Sequence, residues 1–433
     1  ADITPVKNLT VRAQFGADYA HSTSFMKSYP SYIINNNSGR AGRSSSDILN
    51  LTETLTANYR WALNEDHSFN FMLGQEGIDY RSTGFQVVTR GQTIDRLTNV
   101  TAGTRASSWQ DANTAHSFMS FFFRTEYNYK DLYYAEVAAR TDASSRFGKD
   151  HRWGAFWSLG FMWNIKNEAF LKDVEWLTGA QIKLSTGTSG NSTIPDYDHL
   201  ALVSGNANYL DQAGLFPLQS GNEELGWEQT WANNIGLSVG LFNRVNVNFD
   251  FYHKKTTNML MFVPQSYAIS GESGHWDNIG AMMNRGVEVA VDGDVIRTRD
   301  FTWNLSANFS YNKNKLLELY NGVEDVVGHS VHEYFMNRYA GVNPANGDAL
   351  WYTADGELTT EFREEDKVMT GKTFDSPWAG GFGTTLMWKG LSLSAQFSWM
   401  AKRYVMNNDR FFEESNGIYS AYNQSKRLLY DRW

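Results

Sequence analysis

Several stretches of this chain alternate strictly between apolar and polar side chains, and that period of two restricts the fold more than any other feature. Leu9, Val11, Ala13, Phe15, Ala17 and Tyr19 alternate with Thr10, Arg12, Gln14, Gly16 and Asp18. Val245-Asn246-Val247-Asn248-Phe249-Asp250-Phe251 repeats the scheme, as do residues 301–311 and 391–399. Successive side chains of a strand point to opposite faces, so each run is a strand with one apolar side. The runs last about 7–11 residues, whereas strands of soluble proteins average about 5–6. A strand crossing a bilayer at a tilt near 45° takes roughly 9–11.

What stands on the other face matters as much. It is mostly Asn, Ser, Thr and Gln, which suits a hydrated lumen better than the Lys- and Glu-rich surface of a soluble sandwich. Aromatic residues make up 15% of the 433 residues, and Tyr19, Tyr311 and Trp399 stand at strand ends, where an interfacial girdle places its rings. Mean hydropathy is −0.47, so apolar residues are interleaved rather than clustered, and no run approaches the ~18–20 residues of a spanning helix. A membrane reading therefore requires a closed barrel, which alone satisfies every strand hydrogen bond in lipid. The chain has no Cys, which excludes disulfides and thiolate chemistry. Its net charge of −9, with dispersed basic residues, argues against nucleic acid as a partner.

Connections alternate in length. Residues 64–67, 130–131, 242–244, 293–300 and 389–390 read as short turns; 20–48, 82–115, 187–229, 256–284 and 312–336 read as long loops. Outer-membrane barrels have short periplasmic turns and long external loops. The expected fold is all-β, an antiparallel transmembrane β-barrel. It counts roughly 14 strands, against the ~22 of a large plugged barrel. One medium connection, 164–179, is expected to carry a short helical turn over Asn167–Lys172 on the short-turn side.

Arg140-Thr141-Asp142-Ala143-Ser144-Ser145-Arg146-Phe147-Gly148, followed by Arg152-Trp153-Gly154-Ala155-Phe156, begins an ordered series of short motifs. It continues through Gly187, Gly190 and Asn191, Leu225-Gly226-Trp227-Glu228-Gln229-Thr230, Tyr252-His253-Lys254-Lys255-Thr256 and Asn284-Arg285-Gly286-Val287-Glu288. Tyr339 to Asp348 and Gly380-Gly381-Phe382-Gly383 complete it. In this order the series resembles the SusC/RagA family of TonB-dependent outer-membrane transporters of Bacteroidetes, with Trp157 standing where a proline is usual. The resemblance implies a Gram-negative outer-membrane location and a nutrient importer taking up oligosaccharides, with peptides as the alternative. It implies a SusD-like surface lipoprotein and TonB as partners, with outer-membrane lipid around the wall. Residues 1–433 are expected to be one partial barrel domain, lacking the plug, the TonB-contacting region and the final strands.

No catalytic constellation emerges. Gly187-Thr188-Ser189-Gly190 and Gly271-Glu272-Ser273-Gly274 miss the nucleophile-elbow spacing. His332-Glu333 lacks a second His, and Asp292-Gly293-Asp294 lacks the further ligands of a calcium loop. The expectation is a protein that is not an enzyme, with no metal site and no cofactor. Candidate substrate contacts come from the long loops: Trp109 with Asp111, Tyr197 with Asp198, Tyr209, Tyr267, and His275-Trp276-Asp277-Asn278. They join aromatic platforms to hydrogen-bond acceptors, as glycans and peptides both require. Packing of loop against loop is the plainer role for any one of them. A passive porin or structural barrel, and a soluble all-β carbohydrate-binding module, are the other classes considered.

Overall fold

In the computed structural model, residues 1–32, 38–320, 326–415, 418–419 and 423–430 are described. Fourteen strands form one antiparallel sheet in which each pairs with its neighbours in sequence. They are β1 (Asp2–Val6), β2 (Leu9–Ser28), β3 (Gly39–Ala62), β4 (His67–Gln92), β5 (Arg105–Tyr129), β6 (Tyr133–Ser144) and β7 (Trp153–Trp163). β8 (Leu177–Asn191), β9 (Glu228–Leu241), β10 (Val245–Thr257), β11 (Ala281–Arg297), β12 (Phe301–Glu318), β13 (Trp378–Trp388) and β14 (Leu391–Ala401) follow. The strand count and the alternation of short with long connections match the expectation from sequence.

Register fixes the faces. Leu184 lies opposite Ile235, which lies opposite Phe251, then Val287, then Tyr311. The row below runs Ile182, Leu237, Phe249, Val289 and Phe309. Ile235, Leu237, Phe249 and Phe251 are each at least two-fifths exposed, which identifies this apolar face as the one toward lipid. On β12 it runs from Trp303 to Tyr311, nine residues by number. At ~3.4 Å per residue and a tilt near 40°, that is close to the ~25 Å band of outer-membrane barrels. The opposite face is polar and knitted across strands: Asn234 Nδ2 donates to Asp250 Oδ1 (3.2 Å), Ser238 Oγ to Asn248 Oδ1 (2.7 Å) and Asn246 Nδ2 to Asp292 Oδ2 (3.1 Å).

Tight turns close the short side. Lys130 and Asp131 both take positive φ (52° and 55°), as do Phe242 and Asn243 (54° and 57°). Consecutive left-handed residues match the twist of the flanking strands. In the medium connection a 3-10 turn spans Ile165–Asn167, and the expected helical turn continues from it: the Leu171 and Lys172 amides both donate to the Glu168 carbonyl, at 3.0 and 2.9 Å. Lys166 secures the end of this turn, its Nζ donating to the carbonyls of Leu171, Lys172 and Val174 at 2.9, 3.0 and 2.8 Å. Those carbonyls are held by a side chain, so no longer helix is needed to satisfy them.

By contact the chain divides into two compact units. One comprises residues 1–12, 56–75 and 120–405; the other comprises 13–55, 76–119 and 406–433. Within the second, strand runs through most of what reads as loop in the sequence: 20–28 and 39–48, and 82–92 and 105–115. These segments lack the apolar-polar alternation, but the backbone ladder persists through them. Tyr19 Oη donates to Asp47 Oδ1 (2.5 Å), which also meets His21 Nδ1 (2.9 Å). Ser31 binds Asp95 through its amide (3.2 Å) and its hydroxyl (2.6 Å).

Candidate outer-side binding region

Three connections on the long-loop side of the first unit, 145–152, 192–227 and 258–280, share one small core. Phe147 and Leu225 are fully buried and Ile194 is 4% exposed; Trp227, Leu260 and Trp276 pack against them. The Trp227 ring lies 5.3 Å from Phe147 and 5.4 Å from Phe156, and its Nε1 donates to the Arg152 carbonyl (2.8 Å). Arg146 Nε binds Asp196 Oδ1 at 2.8 Å. Glu228 accepts from the Leu260 amide (3.1 Å) and from Asn191 Nδ2 (3.2 Å). Scattered motif residues, Arg146, Phe147, Asn191, Leu225, Trp227 and Glu228, thus meet at one node that fixes the loop bases. Gly148 is part of it: a Cβ there would stand 2.0 Å from the Glu223 carbonyl oxygen.

The candidate contact residues separate by burial. Asn278 is engaged at both ends of its amide, to Gly226 and to the Asn258 carbonyl (3.0 Å). Asp277 Oδ1 accepts from Asn222 Nδ2 (3.2 Å) and from the Asn278 amide (2.8 Å). Trp276 packs on the core, 6.1 Å from Phe262. His275 Nδ1 lies 3.2 Å from Gln265 Nε2. Tyr267 is 57% exposed, at the start of a four-residue helix ended by left-handed Gly271. Tyr197 is partly exposed with φ 73°, whereas Asp198 is buried beside it. Tyr209 pairs with Gln212 in a loop hairpin; its side chain lies outside the described residues. Trp109 and Asp111 belong to the second unit and stand exposed on β5, not in a loop.

His275, Asp277 and Asn278 line a recess of about 520 Å³ together with Lys255, Glu318 and Tyr320. Sequence reasoning did not single out those last three as contacts: Lys255 lies inside the Tyr252–Thr256 motif, read there as barrel wall, while Glu318 and Tyr320 lie at and just past the end of β12 with no motif around them. Burial dominates the electrostatics of the neighbouring segment. It raises the Asp198 carboxyl above its ordinary value, and Asp196 adds to the effect. It lowers His199, and the Arg152 charge pushes the same way. His199 Nδ1 is buried without a hydrogen-bond partner among the described residues. No group of three or more His, Cys, Asp or Glu suited to a metal occurs among those residues.

A sheet with one lipid-facing apolar side, one polar side, tight turns and built-up outer loops defines the wall of an outer-membrane β-barrel. The family described as TonB dependent receptor-like, beta-barrel, matches residues 3–427. The chain belongs to that family, and its place is the outer membrane. It is 31% identical over 327 residues to the TonB-dependent receptor SusC of Bacteroides thetaiotaomicron, covering 73% of this chain and 32% of that protein. To the TonB-dependent receptor P39 of Formosa agariphila it is 34% identical over 270 residues, covering 60% of this chain and 25% of that protein. The solved structure of the RagAB peptide transporter superposes with a TM-score of 0.87 at 32% identity, over 100% of this chain and 50% of that one. The chain thus spans about a third or less of these curated relatives and half of the solved chain.

Proposed function

We propose that these residues form part of the wall of a TonB-energised importer that takes up oligosaccharides with a SusD-like surface lipoprotein over its mouth. The observation carrying this reading is the likeness to SusC across 73% of the chain, on a sheet whose polar face suits a hydrated conduit. The wall itself supplies no chemistry; it holds outer loops at fixed positions and leaves their exposed side chains to meet substrate. Trp109, Asp111, Tyr197, Tyr267 and His275 are the proposed contacts, since their side chains reach solvent wholly or in part, where rings can stack on sugar faces and polar atoms can meet hydroxyls.

Peptide uptake is the second reading, favoured by the likeness to the RagAB peptide transporter over the whole chain. Deleting the parent gene and following growth on single glycans and on defined peptides separates the two. Loss of growth on a glycan supports the first reading and loss on peptides the second. Unimpaired growth on all of them overturns both.

A further inference from the structure

The apolar belt ends abruptly at its outer rim. Phe251, Val287 and Tyr311 stand opposite one another on β10, β11 and β12. The next outward-facing row is His253, Arg285 and Lys313, again directly opposite one another. One row further out come Lys255, Met283 and Lys315. Because the rows alternate in register, all these side chains share the lipid-facing side of the sheet. Tyr311 packs on Trp378 at 4.3 Å, and Trp231 faces Lys255 across the β9–β10 ladder, so aromatic rings bracket the basic rows as an interfacial girdle would.

Lys255, Arg285 and Lys313 are exposed, and none of them has an ion-pair partner among the described residues. The carboxylates nearby are otherwise occupied: Asp375 meets His332 Nδ1 at 2.6 Å, and Glu333 meets His329 Nδ1 at 3.1 Å. Lys255 shares the 520 Å³ recess with Glu318 and Asp277, so His253, Arg285 and Lys313 form the centre of the patch. On a chain of net charge −9, a basic row at the membrane rim has a local use. Neighbouring strands are ~4.8 Å apart, so the row spans about 10 Å, the scale of one phosphorylated sugar headgroup. Arg presents a planar fork that matches phosphate, and Lys reaches toward a headgroup while its stem stays on apolar surface.

We propose that His253, Arg285 and Lys313 bind the phosphate of an outer-leaflet glycolipid of the lipid A type, fixing lipid against this flank of the barrel. The inference depends on the membrane position of the belt and not on which nutrient is carried.

The test uses the transporter extracted from its own outer membrane in mild detergent, with purified diphosphoryl lipid A as probe and intact-complex mass spectrometry as readout. Dephosphorylated lipid A and excess inorganic phosphate are the comparison arms. The wild type retains lipid A in preference to the dephosphorylated form, and free phosphate does not displace it. In Arg285→Gln/Lys313→Gln affinity falls about thirtyfold, and in Lys313→Gln about fivefold, the losses for two and for one basic side chain at an anionic surface. Heat-modifiable gel migration reports folding, and the single variant decides if the double variant does not fold. Equal affinity in folded variants overturns the proposal, as does equal retention of dephosphorylated lipid A or displacement by free phosphate. Loss of a protein–protein species with lipid binding unchanged overturns it in favour of an interface between chains.

Discussion

The Asn278 side chain brackets the backbone of Gly226: its Oδ1 accepts from the Gly226 amide at 2.6 Å and its Nδ2 donates to the Gly226 carbonyl at 2.9 Å. One amide side chain thereby imitates a strand partner and joins the 192–227 loop to the 258–280 loop. Asn278→Ala leaves both backbone groups of a part-buried glycine unpaired, at a cost of about 1–3 kcal/mol to the loop node. Hydrogen exchange is expected to rise at residues 222–227 and 258–260 while β9 and β10 keep their protection. Unchanged exchange at 222–227 refutes the role given to Asn278.

The buried segment around His199 gives a pH dependence whose sign follows from its lowered pKa. The unfolded loop takes up a proton as pH falls through about 6.5, and the folded loop does so only at lower pH. Folded-loop stability is therefore lost as pH drops below about 6.5. Asp198, raised by burial, has the opposite tendency: its cost appears as pH rises above its unfolded value and vanishes in stronger acid. The two tendencies oppose each other, and the histidine's sets in as pH falls through its unfolded value of about 6.5. Exchange at 192–201, corrected for its intrinsic pH dependence, is expected to accelerate on acidification, and His199→Gln to flatten that response.

Face assignment predicts asymmetric tolerance to charge. Phe249 stands between Leu237 and Val289 in the middle of the belt. Phe249→Arg is expected to cost about 2–4 kcal/mol for a charge near the bilayer midplane. Ala290, one residue along β11 from Val289 and on the polar face, is expected to accept Lys within about 1 kcal/mol. Denaturant unfolding in lipid vesicles reads both; equal costs reject the assignment.

Gly286 lies beneath an aromatic ring. A Cβ there would stand 2.3 Å from the Tyr311 carbonyl oxygen and 2.4 Å from Tyr252 Oη. Gly286→Ala pushes that ring away and breaks the Tyr252 Oη to Asn312 Oδ1 bond of 3.1 Å. Overpacking of this kind costs about 1–3 kcal/mol. Unfolding midpoints of Gly286→Ala and Gly286→Ala/Tyr252→Leu give the check, because the second change is expected to recover part of the loss.

For the import reading, Trp109→Ala and Tyr267→Ala are each expected to raise the half-saturating nutrient concentration about fivefold, corresponding to ~1 kcal/mol of lost ring contact. Transport assays on cells with equal surface expression measure it. Unchanged values in both variants remove these residues from the proposed contact set.

Much of the wall was legible in the sequence, because lipid on one side and water on the other write alternation directly into residues such as Val247, Asn248 and Phe249. Residues 82–92 and 105–115 were not, because a strand whose sequence keeps no continuous apolar face loses that signature. The candidate site was legible in residue type but not in role. Asn278 and Trp276 carry the same side chains whether they meet a sugar or secure a loop, and their partners, Gly226 and the Phe147–Leu225 core, lie far away in sequence. Glu318 and Tyr320 enter the recess only because β12 ends there.

Among the described residues, every wall strand hydrogen-bonds the wall strands immediately before and after it in sequence. Such an arrangement has no crossovers to thread, so it can be assembled one hairpin at a time from sequence-adjacent pairings, and each added hairpin brings its own tight turn. The entropic cost of closing each step is that of a short loop on one side and a long one on the other. Barrel biogenesis is thus expected to pause at the long outer connections, and a lesion in one of them to stall assembly with the preceding strands already paired.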